Sequence, residues 1–304
     1  MEACFDIIDN RKNSAPFLLA EAILVGNELA TTLQPFFGEQ YSATIRLGHI
    51  GLVLGLLELC DIDINFAGDP ATFAIFREVI RSFSTLQPRA GASLVSQTVE
   101  EVHTKISSIS KDYDRKGFQL IWKALPKCPW KALEELKLRA DKLYKRRANA
   151  TSSSRATRET FRKVTAALLN LQRVCDILML LGALQPEDHD YDPYPWCHNL
   201  AKPQCPCMVL LDLGICDRHG VFTSGLTFDI SVGPEAIMMK ARKKKQNHAE
   251  IRVAEGGEYN DTVTQFQPPM TSGDVVAVGS RVSINRLSTK LGLQDLSAMT
   301  RRFV

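Results

Sequence analysis

The spacing of the apolar residues changes once along this chain, near residue 187. Before that point apolar residues recur every three or four positions, which is typical of one face of a helix. After it, residues 226–232 alternate between apolar and polar, which is typical of a half-buried strand. A span crowded with proline, from Pro186 to Pro206, separates the two regions. The pattern predicts an α+β protein with a helical domain over residues 1–187. A smaller β-rich domain follows over residues 188–304, beginning with a Pro/Cys-rich entry segment.

Individual elements follow from the same spacing. Residues 1–16 are predicted to be a loose or docked arm, and residues 41–60 a helix that is apolar on most sides. Such a helix belongs in the middle of a bundle, and a membrane-inserted hairpin is the alternative. Residues 226–232 and 275–284 are predicted strands. The other predicted helices cover residues 17–33, 69–86, 93–109, 118–125, 130–148, 155–184 and 288–299.

Composition restricts the class of protein. The chain has 304 residues, of which 45% are hydrophobic and 23% charged, as in ordinary globular proteins. The N-terminal residues do not resemble a secretory signal. No run approaches the roughly 20 apolar residues of a membrane span. We therefore expect an intracellular, cytoplasmic protein whose eight cysteines are reduced.

Positive charge is concentrated in residues 122–173. This stretch has fourteen basic and four acidic residues, a net charge of +10, whereas the whole chain has a net charge of only +3. A charge asymmetry of this size gives information about binding partners rather than about the fold. It favours a polyanionic partner: nucleic acid, an anionic membrane or an acidic protein surface.

Two predicted helices carry these charges. Basic residues at the end of the first are favoured by the helix dipole, which could explain them without a ligand. Those at the start of the second, such as Arg155 and Arg158, oppose the dipole unless an anion is bound there. The alternative is a plain solvated surface. The predicted polyanion-binding residues are Lys142, Lys145, Arg146, Arg147, Arg155, Arg158, Arg162, Lys163, Lys243, Lys244 and Lys245.

Cysteine and histidine cluster in the entry segment. Cys205, Cys207, Cys216 and His219 could supply four zinc ligands, although their spacing is not that of a standard zinc finger. Reduced structural thiols are the main alternative. A catalytic pair of Cys197 with His219 is a further one. Zinc is therefore a possible cofactor.

The chain contains none of the common phosphate-loop, dinucleotide, serine-hydrolase or zinc-protease motifs. We therefore predict a non-enzymatic structural protein that binds RNA or another polyanion and forms a homo-oligomer. Its layout is broadly similar to that of viral matrix or nucleocapsid proteins. One alternative is a peripheral membrane or scaffold protein that binds anionic lipid. The other is a zinc- or thiol-dependent enzyme.

Overall fold

The computed structural model describes eleven parts of the chain, and these form helices around one sheet. They are residues 2–9, 14–37, 41–62, 70–83, 99–150, 155–182, 208–215, 225–234, 251–260, 263 and 275–283. Within them lie seven helices and a six-stranded mixed sheet. The predicted α+β class, with a helical N-terminal part followed by strands, is confirmed.

The sheet joins strands from both ends of the chain. Its spatial order is β1-β6-β5-β4-β2-β3, with β2 and β3 parallel and every other neighbouring pair antiparallel. Two strands near the N-terminus therefore share a sheet with four from the C-terminal part. The predicted domain boundary at residue 187 stays a prediction. The strands are β1 (Glu2–Asp9), β2 (Tyr41–His49), β3 (Met208–Leu211), β4 (Leu226–Pro234), β5 (Ile251–Glu258) and β6 (Val276–Ser283).

Two N-terminal predictions were wrong. The predicted arm is strand β1, which pairs with β6 along its whole length. The predicted helix over residues 41–60 is strand β2 followed by a short helix. The reason is an alternation within residues 43–48, where buried Ile45 and Leu47 flank Arg46. This two-residue period was hidden by the strongly apolar run that follows it.

The helices otherwise lie close to their predicted positions. The first extends to Phe37, so Pro35 does not end it. Predicted helix 288–299 lies outside the described residues. The helices are α1 (Ala15–Phe37), α2 (Ile50–Leu59), α3 (Pro70–Arg81), α4 (Val99–Ile109), α5 (Arg115–Trp122), α6 (Pro129–Ala150) and α7 (Arg155–Leu180).

Helix α1 covers one face of the sheet. Gly26 lies so close that a Cβ atom there would be 2.7 Å from Ile230 Cδ1 and 3.3 Å from Ala254 Cβ. Helix α7 packs against α1, α2 and α6, so it connects the sheet layer to the outer helices. At the α2–α7 contact, a Cβ on Gly55 would be 2.5 Å from a Val164 methyl. Glycine is what allows these close approaches.

One described helix segment, Ala15–Leu33 within α1, is long and apolar enough to cross a membrane by length and composition. Its inner residues, including Leu19 and Ile23, are fully buried against the rest of the protein. The amphipathic packing of a core helix accounts for this composition.

Candidate functional site

The other face of the sheet is polar. Side chains alternate between the faces of a strand, and the register aligns Arg46, Asp229, Glu255 and Arg281 in one row across β2, β4, β5 and β6. Charged residues in strand interiors are unusual because desolvation is costly. Asp229 is only 4% exposed. This row is the most distinctive concentration of buried charge that the structure describes.

These side chains form an alternating chain of ion pairs. Arg46 donates two hydrogen bonds to Asp229, from Nε to Oδ1 at 2.5 Å and from Nη2 to Oδ2 at 2.7 Å. Arg252 Nη2 lies 3.1 Å from the same carboxylate, and its Nη1 lies 2.5 Å from Glu255 Oε2. Arg281 Nη2 donates to Glu255 Oε1 at 2.6 Å. Bidentate, charge-assisted pairs of this kind are the strong ones. We call Arg46, Asp229, Arg252, Glu255 and Arg281 the ion chain.

A β-bulge makes the ion chain possible. Asp229 lies directly opposite Glu255, and two like charges in that position repel each other. The register then shifts between Ile230 and Ser231, so that Ser231 pairs with Arg252. The shift brings Arg252 onto the same face as Glu255, where its guanidinium bridges the two carboxylates. The bulge thus replaces a repulsive contact with two attractive ones.

The arginines keep Glu255 ionised. Burial by itself raises the pKa of this carboxyl, but the charges and hydrogen bonds of Arg252 and Arg281 outweigh burial. The net result is a Glu255 pKa below its ordinary value. Glu255 therefore remains ionised near neutral pH.

A row of small residues runs beside the ion chain. The register aligns Gly48, Thr227, Gly257 and Gly279 across the same four strands, and continues to Asp6 on β1. A Cβ on Gly257 would lie 2.6 Å from the Leu226 carbonyl oxygen, so no larger residue fits. The polar face therefore combines charged groups with a row of small residues that are themselves buried. Glycine in such a row marks a place where another group approaches the main chain closely.

Hydrogen bonds fix the ends of strands β4, β5 and β6. The Glu258 carboxylate accepts from the Leu226 amide at 3.0 Å, and Asn260 Oδ1 accepts from the Ala277 amide at 2.7 Å. Burial raises the pKa of the Tyr259 hydroxyl, and its hydrogen bond to Asp6 raises it further. Tyr259 thus ties the turn after β5 to β1. The exposed Asp6 marks the side on which the polar face meets solvent.

The predicted polyanion-binding residues separate into two groups. Arg146 pairs with Asp114, with both bonds at 2.8 Å. Arg147 pairs with Asp61 at 2.9 Å and donates to the Glu58 carbonyl at the end of α2. These two arginines hold the helices together. The remaining described members are exposed on α6 and α7: Lys142, Lys145, Arg155, Arg158, Arg162 and Lys163.

The remaining predicted site residues lie outside the described part of the chain. They are Lys243, Lys244 and Lys245 of the polyanion set, and Cys205, Cys207, Cys216 and His219 of the zinc set, together with Cys197 of the alternative pair. No group of three or more His, Cys, Asp or Glu side chains within the described ranges could hold a metal ion. Zinc at the predicted ligands stays a prediction without structural support.

Two buried cysteines, Cys60 and Cys175, carry thiols that are hard to ionise. Burial raises the pKa of Cys60 and of Cys175 far above the ordinary thiol value. A thiolate at either position is therefore strongly disfavoured. Cys4, on the polar face of β1, is exposed.

Comparison with known proteins identifies the fold. No family model matches the chain, and no curated protein matches it in sequence. Histidyl-tRNA synthetase from Nostoc is similar in structure, with a TM-score of 0.54 and 14% identity over 97% of this chain. An ATP phosphoribosyltransferase regulatory subunit/histidyl-tRNA synthetase from Bacillus halodurans has a TM-score of 0.45, 14% identity and 95% coverage. The chain spans about half the length of these two proteins, 51% and 53%.

The likeness to the Nostoc protein shows a synthetase-like fold over nearly the whole chain. The predicted assembly protein of viral matrix or nucleocapsid type was therefore wrong. An RNA- or lipid-binding role of the basic helices has no support from this likeness, and their site residues stay a prediction. The prediction relied on net charge, which gives information about association but not about fold.

Sequence reasoning also missed the ion chain. Its signal was present as single charged residues inside apolar strands, such as Arg46 between Ile45 and Leu47, and Asp229 between Phe228 and Ile230. A charge at such a position needs a buried partner. The partner could not be named, because pairing depends on strand order and register.

Proposed function

We propose that this chain is a non-catalytic ligand-binding domain of synthetase-like fold, and that its ligand is a free amino acid held on the polar face of the sheet. Free histidine is the first candidate, because the fold neighbour with the higher similarity is named as a histidyl-tRNA synthetase. The observation that carries the proposal is the ion chain beside the row of small residues.

The charge of the polar face suits a zwitterion. The ion chain has three guanidinium groups and two carboxylates, and Asp6 on the neighbouring row supplies a third carboxylate. A face that is neutral overall but strongly dipolar favours a ligand that is neutral and dipolar as well. An amino acid, with one carboxylate and one ammonium group, has this property. A polyanion does not.

Access is from the β1 side. Cys4 and Asp6 are exposed, and they lie opposite Arg281 and Gly279 in the register. Arg281 is thus the member of the ion chain nearest the exposed strand. We infer that the ligand carboxylate binds beside Arg281 and its ammonium group beside Asp6.

The pairing of the ion chain supports a role without catalysis. Both carboxylates bond to two arginines, and all three arginines bond to a carboxylate. Stabilising a transition state requires charged groups that are aimed at the reacting atoms. Here the charged groups are aimed at one another. We expect binding, but no formation of histidyl-tRNA.

Calorimetric titration with L-histidine tests the binding. Asp6→Asn removes the carboxylate without changing its shape, and should weaken affinity about tenfold, roughly 1.4 kcal/mol. Histamine lacks the carboxylate and should also bind weakly. Glu78→Gln is the control, since Glu78 pairs with Lys105 on the helices. Absence of heat with any free amino acid at millimolar concentration would refute the proposal, and aminoacylation of tRNA would refute its non-catalytic part.

Self-association is proposed separately. The exposed apolar side chains Ile8 and Phe17, 61% and 60% accessible, are available for contact with a second copy. Light scattering coupled to size exclusion would give the mass. A mass of one chain at tens of micromolar would argue against a homo-oligomer.

A further inference from the structure

A histidine lies buried among aromatic rings in the outer helices, far along the chain from the strands of the polar face. His103 on α4 is only 4% exposed. Its ring meets Phe118 edge-on with centroids 5.4 Å apart, and Phe118 in turn contacts Phe83 and Trp122. A buried imidazole in such surroundings is favoured only in its neutral form.

The two ring nitrogens of His103 differ. Nδ1 shares a hydrogen bond with the Tyr113 hydroxyl. Nε2 is buried and has no hydrogen-bond partner among the residues that the structure describes. In the neutral ring Nε2 is an unprotonated acceptor, whose burial costs less than the burial of a charged donor. Protonation would place a charged N–H donor there without an acceptor, which is among the costly arrangements in a protein interior.

The charged groups around His103 do not remove this cost. Burial lowers the pKa of His103 below its ordinary value, Arg115 lowers it further, and Glu100 acts in the opposite direction. Glu100 is itself paired with Arg115 at 2.6 Å. The other charged groups on the surrounding elements are also paired. Glu78 on α3 pairs with Lys105 on α4. On α6, Arg146 pairs with Asp114 in the α4–α5 turn, and Arg147 pairs with Asp61 after α2.

His103 on α4 and Tyr113 in the turn after it belong to one structural corner. We define the α4–α5 corner as residues 99–122, which contain α4, the turn and α5. The corner is fastened to α2 by the Asp114 amide, which donates to the Cys60 carbonyl at 2.8 Å, and to α6 by Arg146. The bond from Tyr113 to His103 closes the corner on itself.

We propose that His103 is an acid-sensitive latch, which holds the α4–α5 corner closed while its ring is neutral and releases it on protonation. Release exposes Nε2 to water and breaks the packing of His103 on Phe118. The sign follows from the lowered pKa. Stability of the corner is fully present above the ordinary histidine value of 6.5 and is lost as the pH falls below it.

Hydrogen exchange read by mass spectrometry from pH 5.0 to 7.5, corrected for the intrinsic rate, tests the latch. Protection of peptides within the corner should fall as the pH drops below about 6.5, by at most about tenfold per pH unit for one proton. Peptides from α7 should keep their protection. His49, whose pKa burial lowers to about 4, titrates below this range.

Two variants make the test specific. His103→Phe keeps an aromatic ring, and His103→Gln keeps a neutral polar side chain, so at least one is expected to fold. Either should make corner protection independent of pH in this range. A slope that persists in both variants would overturn the proposal. So would a wild-type protein in which the corner and α7 lose protection together, since that result shows global unfolding.

Discussion

The ion chain and the exposed face of α6 and α7 contain similar side chains in opposite circumstances. On the sheet, three arginines are fixed by two carboxylates, and the side chain of Arg281 is only 13% exposed. On α7, Arg162 reaches Glu159 only at 3.8 Å, and its side chain is 79% exposed. The helices contribute most of the positive charge of the sequence, whereas the sheet contains the charged side chains whose desolvation is costly. Charged side chains therefore determine structure where they are buried and paired, and not where the local charge density is highest.

Removing the bridging arginine should have the largest effect. Arg252→Met keeps an unbranched apolar stem but removes the guanidinium group, which leaves Asp229 opposite Glu255 without the shared cation. We expect a loss of about 3–5 kcal/mol in unfolding free energy at pH 7, as for other buried pairs that lose one partner. Urea denaturation followed by circular dichroism measures it.

The pH dependence of the same variant checks the cause. The lowered pKa of Glu255 contributes stability above the ordinary value of 4.5, and this contribution is lost as the pH falls through the folded-state value. In Arg252→Met the repelling carboxylates should take up protons at higher pH, so its deficit should shrink between pH 7 and pH 4.5. Arg162→Met on α7 is the control, with an expected change below about 0.5 kcal/mol. A deficit independent of pH would show that lost packing, and not repulsion, is responsible.

A backbone contact should give the next largest effect. In Gly257→Ala the new Cβ would lie 2.6 Å from the Leu226 carbonyl oxygen, which is backbone and cannot swing away. We expect a loss of about 1–3 kcal/mol, measured by thermal or urea unfolding.

Gly182→Ala is the matched comparison for Gly257→Ala. Gly182 has a φ of +73°, and a Cβ there would have no described residue within 4 Å, so this substitution adds backbone strain without a collision in the part of the chain that the structure describes. Its expected cost is about 1 kcal/mol. Equal losses in the two variants would mean that the row of glycines on the polar face is not sterically required.

Much of the fold but little of the site could be predicted from the sequence, because the helices depend on local spacing whereas the ion chain depends on distant strands. Helices such as α6 and α7 are local, so their apolar spacing was enough to find them. The strands β1 and β2 were missed because their partners lie more than 150 residues away. The ion chain depends on those partner strands and on a bulge. The local sequence around Arg46 and Arg252 therefore does not indicate that both pair with Asp229. Charge density, by contrast, is visible in any sequence, and it drew attention to the exposed helices rather than to the charged residues within the strands.

The smallest effects should come from the basic helices themselves, where two residues of the predicted polyanion set can be compared. Arg146 forms two bonds to Asp114, and hydrogen bonding from Arg146 is the largest cause of the lowered Asp114 pKa. Arg158 is exposed on α7. Arg146→Ala should cost about 0.2–1 kcal/mol because the pair is partly solvated, and Arg158→Ala should change stability by less than that. Urea unfolding in low and high salt separates them, since only the Arg146 effect should diminish as salt screens the pair. Equal, salt-independent values would mean that the pair with Asp114 adds nothing, and that both arginines belong to one solvated surface.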